Sequence, residues 1–166
     1  MGREFEVTDD LLATTGQRFL NYIIDYGIQF VLGALIGFVI GLVGLFIGKP
    51  EIVDSLAEMS KMQEYLLGLV ILIIYYSLTE VFLKRSIAKF ITNTIVVLED
   101  GSIPSSSDFL RRTFCRLIPL NHFSFLGSPC RGWHDSISNT YVVKKREFEI
   151  AFSQHNSLEE IGKNIE

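Results

Sequence analysis

The feature that most constrains this chain is a run of 22 residues, 27–48, without one ionisable side chain. As a helix it would be about 33 Å long, enough to cross the ~30 Å hydrocarbon core of a bilayer. An ordinary core helix of a soluble protein is shorter, so the run predicts an integral membrane protein. No signal-peptide cleavage pattern follows the run, and we expect the first span to remain as an anchor.

A second apolar segment at 65–83 predicts a second span, after a first span at about 19–47. The stretch from Lys84 to Arg146 holds ten basic against four acidic residues, whereas the loop at 48–64 holds two basic and four acidic ones. By the positive-inside rule, both termini are then cytoplasmic and the loop lies outside. The basic excess suggests anionic lipid head groups as partners, and the chain lacks a nucleic-acid-binding motif.

Shorter elements are expected around the spans. Residues 1–17 predict an acidic, partly disordered arm in which Thr14 or Thr15 caps the first helix. Residues 51–62 fit either an amphipathic surface helix or an irregular loop. Residues 90–98 are rich in Ile, Val and Thr before a turn signal, which predicts a strand.

The segment after that strand returns towards the membrane. A basic helix is expected at 108–117, and a strand at 141–143 is expected to pair with 95–97. The apolar segment 117–126 is too short to span and predicts an interfacial or re-entrant element. Residues 146–166 predict a charged helical tail that projects into the cytoplasm. The expected fold is therefore mainly α-helical, a two-span hairpin with a basic cytoplasmic segment of short helices and a small strand pair.

Charged residues inside the spans call for partners. Arg18 and Asp25 lie seven residues apart, which places them on one face of the first helix. An unpaired Asp25 carboxylate towards the bilayer centre would cost about 2.5–3.5 kcal/mol, so a cation is expected to reach it. Glu80 is one turn before Lys84, a spacing that allows an i,i+4 pair. The candidate cations for Asp25 are Arg18, Lys84, Lys89, Arg112 and Arg116.

A second face of the first span, roughly 100° around the helix from the polar face, carries a stripe of glycines. Small residues at this spacing let another helix approach closely. Two helices cannot enclose an aqueous path, so a transporter built from this chain must be a homo-oligomer, and the stripe is its expected seam. The glycines are Gly33, Gly37, Gly41 and Gly44.

Enzymatic and metal sites are not expected. Cys115, His122, Cys130 and His134 could offer zinc ligands, but they lack a C-x-x-C knuckle, and the two thiols are expected to stay free. His134 lies next to Asp135, yet no nucleophile motif accompanies this dyad. The chain has no phosphate-binding glycine loop. We therefore expect neither an enzyme nor a bound cofactor.

Several short motifs follow one another along the chain, and their order and spacing resemble the RDD family. That family is named for an arginine and two aspartates, which map onto Arg18, Asp25 and Asp135. The resemblance covers roughly residues 15–145, within which the expected membrane domain is 18–145, and it departs from the family at Ala88, where a glycine is common. The motifs are Arg18-x6-Asp25, Glu80 with Ser86-Ile87-Ala88-Lys89, Val96 to Gly101, Arg111 to Arg116, and Gly132-Trp133-His134-Asp135 with Thr140 to Val143.

The resemblance implies a charged network and leaves the activity open. Family members are mostly bacterial inner-membrane proteins, for which transport of ions or small ligands has been suggested. One hypothesis is an oligomeric transporter in which Asp25 titrates and Glu80 is its second carboxylate. The alternative is a non-enzymatic scaffold or accessory subunit in which Asp135 only latches the returning segment beneath the spans. The network comprises Arg18, Asp25, Glu80, Lys89, Arg112, Arg116, His134 and Asp135.

Overall fold

The structure is a computed structural model that describes residues 5–118, 124 and 131–163. Most of the predicted segment 117–126 lies outside the described residues, as do His122 and Cys130. The described part is mostly helical, with one pair of strands, as the sequence predicts. The helices are α1 (Thr15–Phe46), α2 (Glu51–Ala57), α3 (Lys61–Leu83), α4 (Ile87–Ile91), α5 (Ser106–Cys115), α6 (Trp133–Ile137) and α7 (Lys145–Lys163), and the strands are β1 (Thr94–Leu98) and β2 (Thr140–Lys144).

The two long helices α1 and α3 are apolar and long enough to cross a membrane. Only 6% of the most apolar stretch of α1 and 17% of that of α3 is buried within the chain, whereas a soluble core helix would be mostly buried. The side chain of Thr14 accepts a hydrogen bond from the Gln17 backbone and so caps α1, as predicted. A similar capping box at Ser60 starts α3 four residues before the predicted span.

The glycines of α1 face different surroundings. A Cβ added at Gly44 would lie 3.1 Å from the Ile52 side chain of α2, and one at Gly33 would lie 3.3 Å from Ile71 of α3. A Cβ at Gly37 would meet nothing within 4 Å. Part of the stripe therefore packs against helices of the same chain, and part of it is open. The surface helix α2 is shorter than predicted because the chain turns at Ser60 to begin α3.

The antiparallel pair of β1 and β2 has the predicted partners. Val96 lies opposite Val142, and residues 95–97 pair with 141–143. The strand predicted over 90–98 is too long, because residues 90 and 91 belong to α4 and Asn93 turns the chain with a positive φ of 53°. The tertiary contacts of α4 with the spans, described below, outweigh the β propensity of this segment.

The N-terminal arm is packed against the strand pair. Leu11 and Leu12 are buried, and Leu12 forms an isolated bridge with Val143. The backbone N–H of Ala13 donates to the carbonyl oxygen of Val142 over 2.8 Å. The expectation of partial disorder is thus wrong for the described residues 5–13, because their apolar side chains complete a small core.

The C-terminal helix α7 is confirmed, but its first turns do not project freely. Phe148 is buried, and its ring stacks on Phe152 with centroids 5.5 Å apart. Phe5 of the arm meets both rings edge to face. Further along, Leu158 is exposed. The start of α7 therefore belongs to the core around the strand pair.

Candidate functional site: a buried charged network

Asp135 joins three helices. It lies in the first turn of α6, where the Gly132 backbone N–H donates to its Oδ2 over 3.2 Å. Arg18 of α1 donates to the same oxygen, and Arg112 of α5 donates to Oδ1 over 2.6 Å. The carboxylate is fully buried, and the two arginine side chains are nearly so. Asp135 therefore latches the returning segment beneath the spans through two arginines, Arg18 of α1 and Arg112 of α5.

The buried ions around Asp135 set its charge. Burial alone would raise the pKa of Asp135, but the guanidinium groups of Arg112 and Arg18 hold the pKa well below its usual value. The Nε2 atom of His134 lies 3.3 Å from Oδ1 of Asp135. Burial lowers the pKa of His134 well below its usual value, against the opposing effect of Asp135, so its imidazole is neutral at pH 7.

Glu80 forms a second buried centre one turn from the end of α3. Its Oε1 accepts hydrogen bonds from Lys89 over 2.7 Å and from Arg116 over 2.8 Å. The predicted Glu80–Lys84 pair is wrong. Lys84 ends α3 in a left-handed conformation with φ 60°, which carries its side chain away so that its ammonium lies 5.7 Å from the centre of the Phe109 ring.

The cations that reach Glu80 also contact the spans. The Arg116 guanidinium lies 3.9 Å above the Tyr76 ring of α3, a cation–π contact. Lys89 is held in place because α4 turns it towards Glu80. Burial lowers the pKa of Lys89 to about 8, against the opposing effect of the Glu80 carboxylate. The ammonium is therefore still mostly charged at pH 7.

Asp25 has no cationic partner among the described residues. Its Oδ1 accepts from the Tyr75 hydroxyl over 2.6 Å and from the Ala88 backbone N–H over 3.1 Å, and its Oδ2 accepts from Tyr76 over 3.3 Å. The expectation of a direct ion pair to Asp25 is wrong, because two hydroxyls and a peptide group already satisfy the buried carboxylate. Two of the candidate cations, Lys89 and Arg116, line the same cavity and act on Asp25 at longer range. Ala88 also allows the close backbone approach for which the family commonly has glycine.

Two features of the site escaped the sequence analysis. No role was assigned to Tyr75 and Tyr76 from the sequence, but both are buried and their hydroxyls donate to Asp25. Their position within two turns of Glu80 in an apolar helix is the signal that could have revealed them. Asn21 of α1, on the border of the predicted polar stripe, accepts from Thr92 over 2.6 Å and donates to Thr94 over 3.2 Å. These bonds tie α1 to the start of β1.

A small cavity opens between these groups. Its volume is about 40 Å³, which on this measure holds about three water molecules. Among its lining residues, Arg18 and Arg112 each keep two buried guanidinium nitrogens without a hydrogen-bond partner in the described structure, and Arg116 keeps one. Glu80 does not line the cavity. The lining residues are Arg18, Asn21, Tyr22, Asp25, Tyr76, Lys89, Arg112, Arg116, His134 and Val142.

The structure thus brings together all eight residues of the predicted network, each of them buried. The suggested zinc ligands receive no support within the described residues, which contain no cluster of three or more His, Cys, Asp or Glu side chains suited to a metal. Cys115 carries a free thiol. His122 and Cys130 lie outside the described residues.

These features are those of a mostly helical protein with two apolar helices that are long enough to cross a membrane and that pack beside a buried charged network. The model of the RDD family matches residues 12–139, most of the chain. The chain therefore belongs to the RDD family. No curated protein and no solved structure matches it significantly.

Proposed function

We propose that this protein is a subunit of an oligomeric assembly that moves a small ion or solute across the bacterial inner membrane. The cavity beside Asp25 is its binding site. Both termini and the basic segment face the cytoplasm in this proposal, because the basic residues cluster at that end of the spans. Family membership and the two apolar helices support the membrane location.

The observation that carries the proposal is that two arginines with unpartnered, buried guanidinium nitrogens stand among the residues that line the cavity. A buried donor without a partner costs about 1–3 kcal/mol, and more when it is charged. Arg18 and Arg112 together keep four such nitrogens among the described residues. A latch that only held the fold would be more stable with these groups paired, so the site suits a ligand that enters and leaves.

An oligomer is needed because two helices cannot surround a path. The faces of α1 and α3 are exposed over most of their length, and Gly37 has open space where its Cβ would be. A second copy that packs there would bring helices together at short distance. Anionic lipid head groups are proposed partners of the basic segment.

The test is flux through vesicles that contain the purified protein. Asp25→Asn keeps the size of the side chain but replaces the carboxylate by an amide, which cannot carry an exchanged proton, and we expect it to abolish proton-coupled flux. Asp54→Asn, at an exposed position in α2, is the matched control and should leave flux intact. Persistent flux in Asp25→Asn, or a stable monomer in detergent at all protein concentrations, would refute the carrier.

The alternative function is a non-enzymatic scaffold or accessory subunit. One observation favours it: within the described structure Asp25 and Asp135 each accept at least three hydrogen bonds, and Glu80 is held by two cations. The fully bonded carboxylates of Asp25 and Asp135 suit a rigid latch, whereas Oε2 of Glu80 has no hydrogen-bond partner within the described residues. If folded wild-type protein shows no flux but binds vesicles only when they contain anionic lipid, the scaffold replaces the carrier.

A further inference from the structure

We propose that the cavity between α1, α4, α5 and α6 binds one small monovalent anion, of the size of chloride, nitrate or bicarbonate. The inference names the ligand class for the site of the proposed function and rests on it in that sense. Its own support comes from charge, from donor groups and from volume.

The charge of the buried network is unbalanced. Four cationic side chains, Arg18, Lys89, Arg112 and Arg116, face three carboxylates, Asp25, Glu80 and Asp135. His134 adds no charge while its imidazole is neutral. One positive charge therefore remains in a region with little access to water, where an uncompensated ion is costly. A single anion would neutralise the network, whereas a cation would add to the excess.

The donors of the cavity also suit an anion. Arg18 and Arg112 line it from opposite helices, with side chains that are 4% and 1% exposed. Their unpartnered guanidinium nitrogens are buried beside the cavity and can only donate, so a small shift of either side chain would bring them to an acceptor bound there. Water could satisfy them, but it would leave the excess charge in place. Guanidinium donors bind anions with charge-assisted hydrogen bonds, which are stronger than neutral ones.

The volume limits the class of anion. A cavity of about 40 Å³ has room for about three water molecules and hence for a halide or a small planar oxyanion. A nucleotide or a sugar phosphate is far larger. The Asp25 carboxylate on the wall would also repel an anion that carries two or more charges. The geometry therefore favours a monovalent anion.

The experiment measures thermal stability in detergent as chloride or nitrate replaces gluconate at constant ionic strength. We expect a saturable rise of the midpoint, since a ligand that binds the folded state stabilises it by mass action. Asn21→Asp places a negative charge on the cavity wall. Its carboxylate can accept from the hydroxyls of both Thr92 and Thr94, which keeps the tie to β1 and gives up only the hydrogen bond between the two hydroxyls. We expect its half-saturating anion concentration to rise at least tenfold.

The matched control is Asn139→Asp, the same chemical change in an exposed turn where φ is 50°. It should keep the wild-type anion response within twofold. Equal responses in both variants, or no response in the wild type, would overturn the inference. If Asn21→Asp fails to fold, crystals of the wild-type protein grown in bromide test the site directly. Anomalous density beside Arg18 and Arg112 supports the site, and its absence overturns it.

The same measurements distinguish a free small anion from a lipid head group, and they separate the anion site from the proposed carrier. Stabilisation that appears only on addition of phosphatidylglycerol assigns the cavity to a lipid head group and overturns the small-anion site. Binding is measured without a gradient, so anion binding without flux refutes the carrier and leaves this site standing. Flux without any anion effect refutes the anion site alone.

Discussion

Replacing Asp135 by asparagine tests how much the buried network stabilises the fold. The amide keeps the shape of the side chain but removes the charge that Arg18 and Arg112 share, and its NH2 group turns a donor towards one guanidinium. Removal of one partner from a buried ion pair typically costs about 3–5 kcal/mol. For comparison, the exposed Lys61–Glu64 pair is worth about 0.2–1 kcal/mol by the usual range for surface pairs.

The assay is unfolding of the detergent-solubilised protein, followed by the fluorescence of its single tryptophan. Trp133 is the first residue of α6, two positions before Asp135, and so reports on the element that the network holds. A loss of 3–5 kcal/mol corresponds to a midpoint lower by roughly 6–20 °C for a chain of this size.

Asp54→Asn is the control for this measurement. Asp54 lies exposed in α2, and its loss should change stability by less than about 0.5 kcal/mol. If Asp135→Asn loses less than 1 kcal/mol, or no more than the control, the network does not hold the fold and the reasoning about buried charge fails.

Three further perturbations probe the same site in the same assay. Tyr75→Phe removes the 2.6 Å hydrogen bond to Asp25 and should cost about 1.5–3 kcal/mol; no loss would mean that another group replaces the hydroxyl. Gly132→Ala would place a Cβ 2.7 Å from Cε1 of the buried His134 ring and should lower the free energy of unfolding by about 1–3 kcal/mol. Gly16→Ala is the control, because its Cβ would lie 3.9 Å from Oγ1 of Thr14, and it should not destabilise the fold. Equal effects of the two substitutions would contradict the clash at position 132. Because the folded state keeps His134 neutral, the unfolded state binds more protons below pH ~6.5, so stability should be full above that pH and fall below it by up to about 1.4 kcal/mol per pH unit. His134→Gln should flatten this slope between pH 7.5 and 5, and an unchanged slope would exclude His134 as its source.

Local sequence signals predicted the elements whose residues interact within a few positions of one another. The Thr14 cap and the β-branched residues of the first strand are such signals, and the structure confirms both. The predicted pairing of residues 95–97 with 141–143 is also confirmed, although it joins distant parts of the chain. The signals failed where distant contacts outweigh local preference. Residues 90–91 have β propensity, yet they belong to α4.

At the charged site, too, the sequence indicated the members of the network, but only the tertiary structure showed which of them pair. Charge in an apolar span is costly, so Arg18, Asp25 and Glu80 could be identified as members of a network from their positions alone. Their partners could not be identified, because several cations were within reach of each carboxylate. Glu80 paired with Lys89 and Arg116, and the nearer Lys84 pointed elsewhere.

By itself, the sequence determined that the chain would form two long apolar helices and a buried charged network. The length of the apolar segments and the free-energy cost of an isolated buried charge are both properties of the chain. Only the tertiary structure decided that Asp25 would be satisfied by two tyrosines and a peptide N–H, and Asp135 by two arginines. The physical reason is geometric: a hydrogen bond exists only within about 3 Å and at a suitable angle. That placement depends on how α4, α5 and α6 pack against the spans.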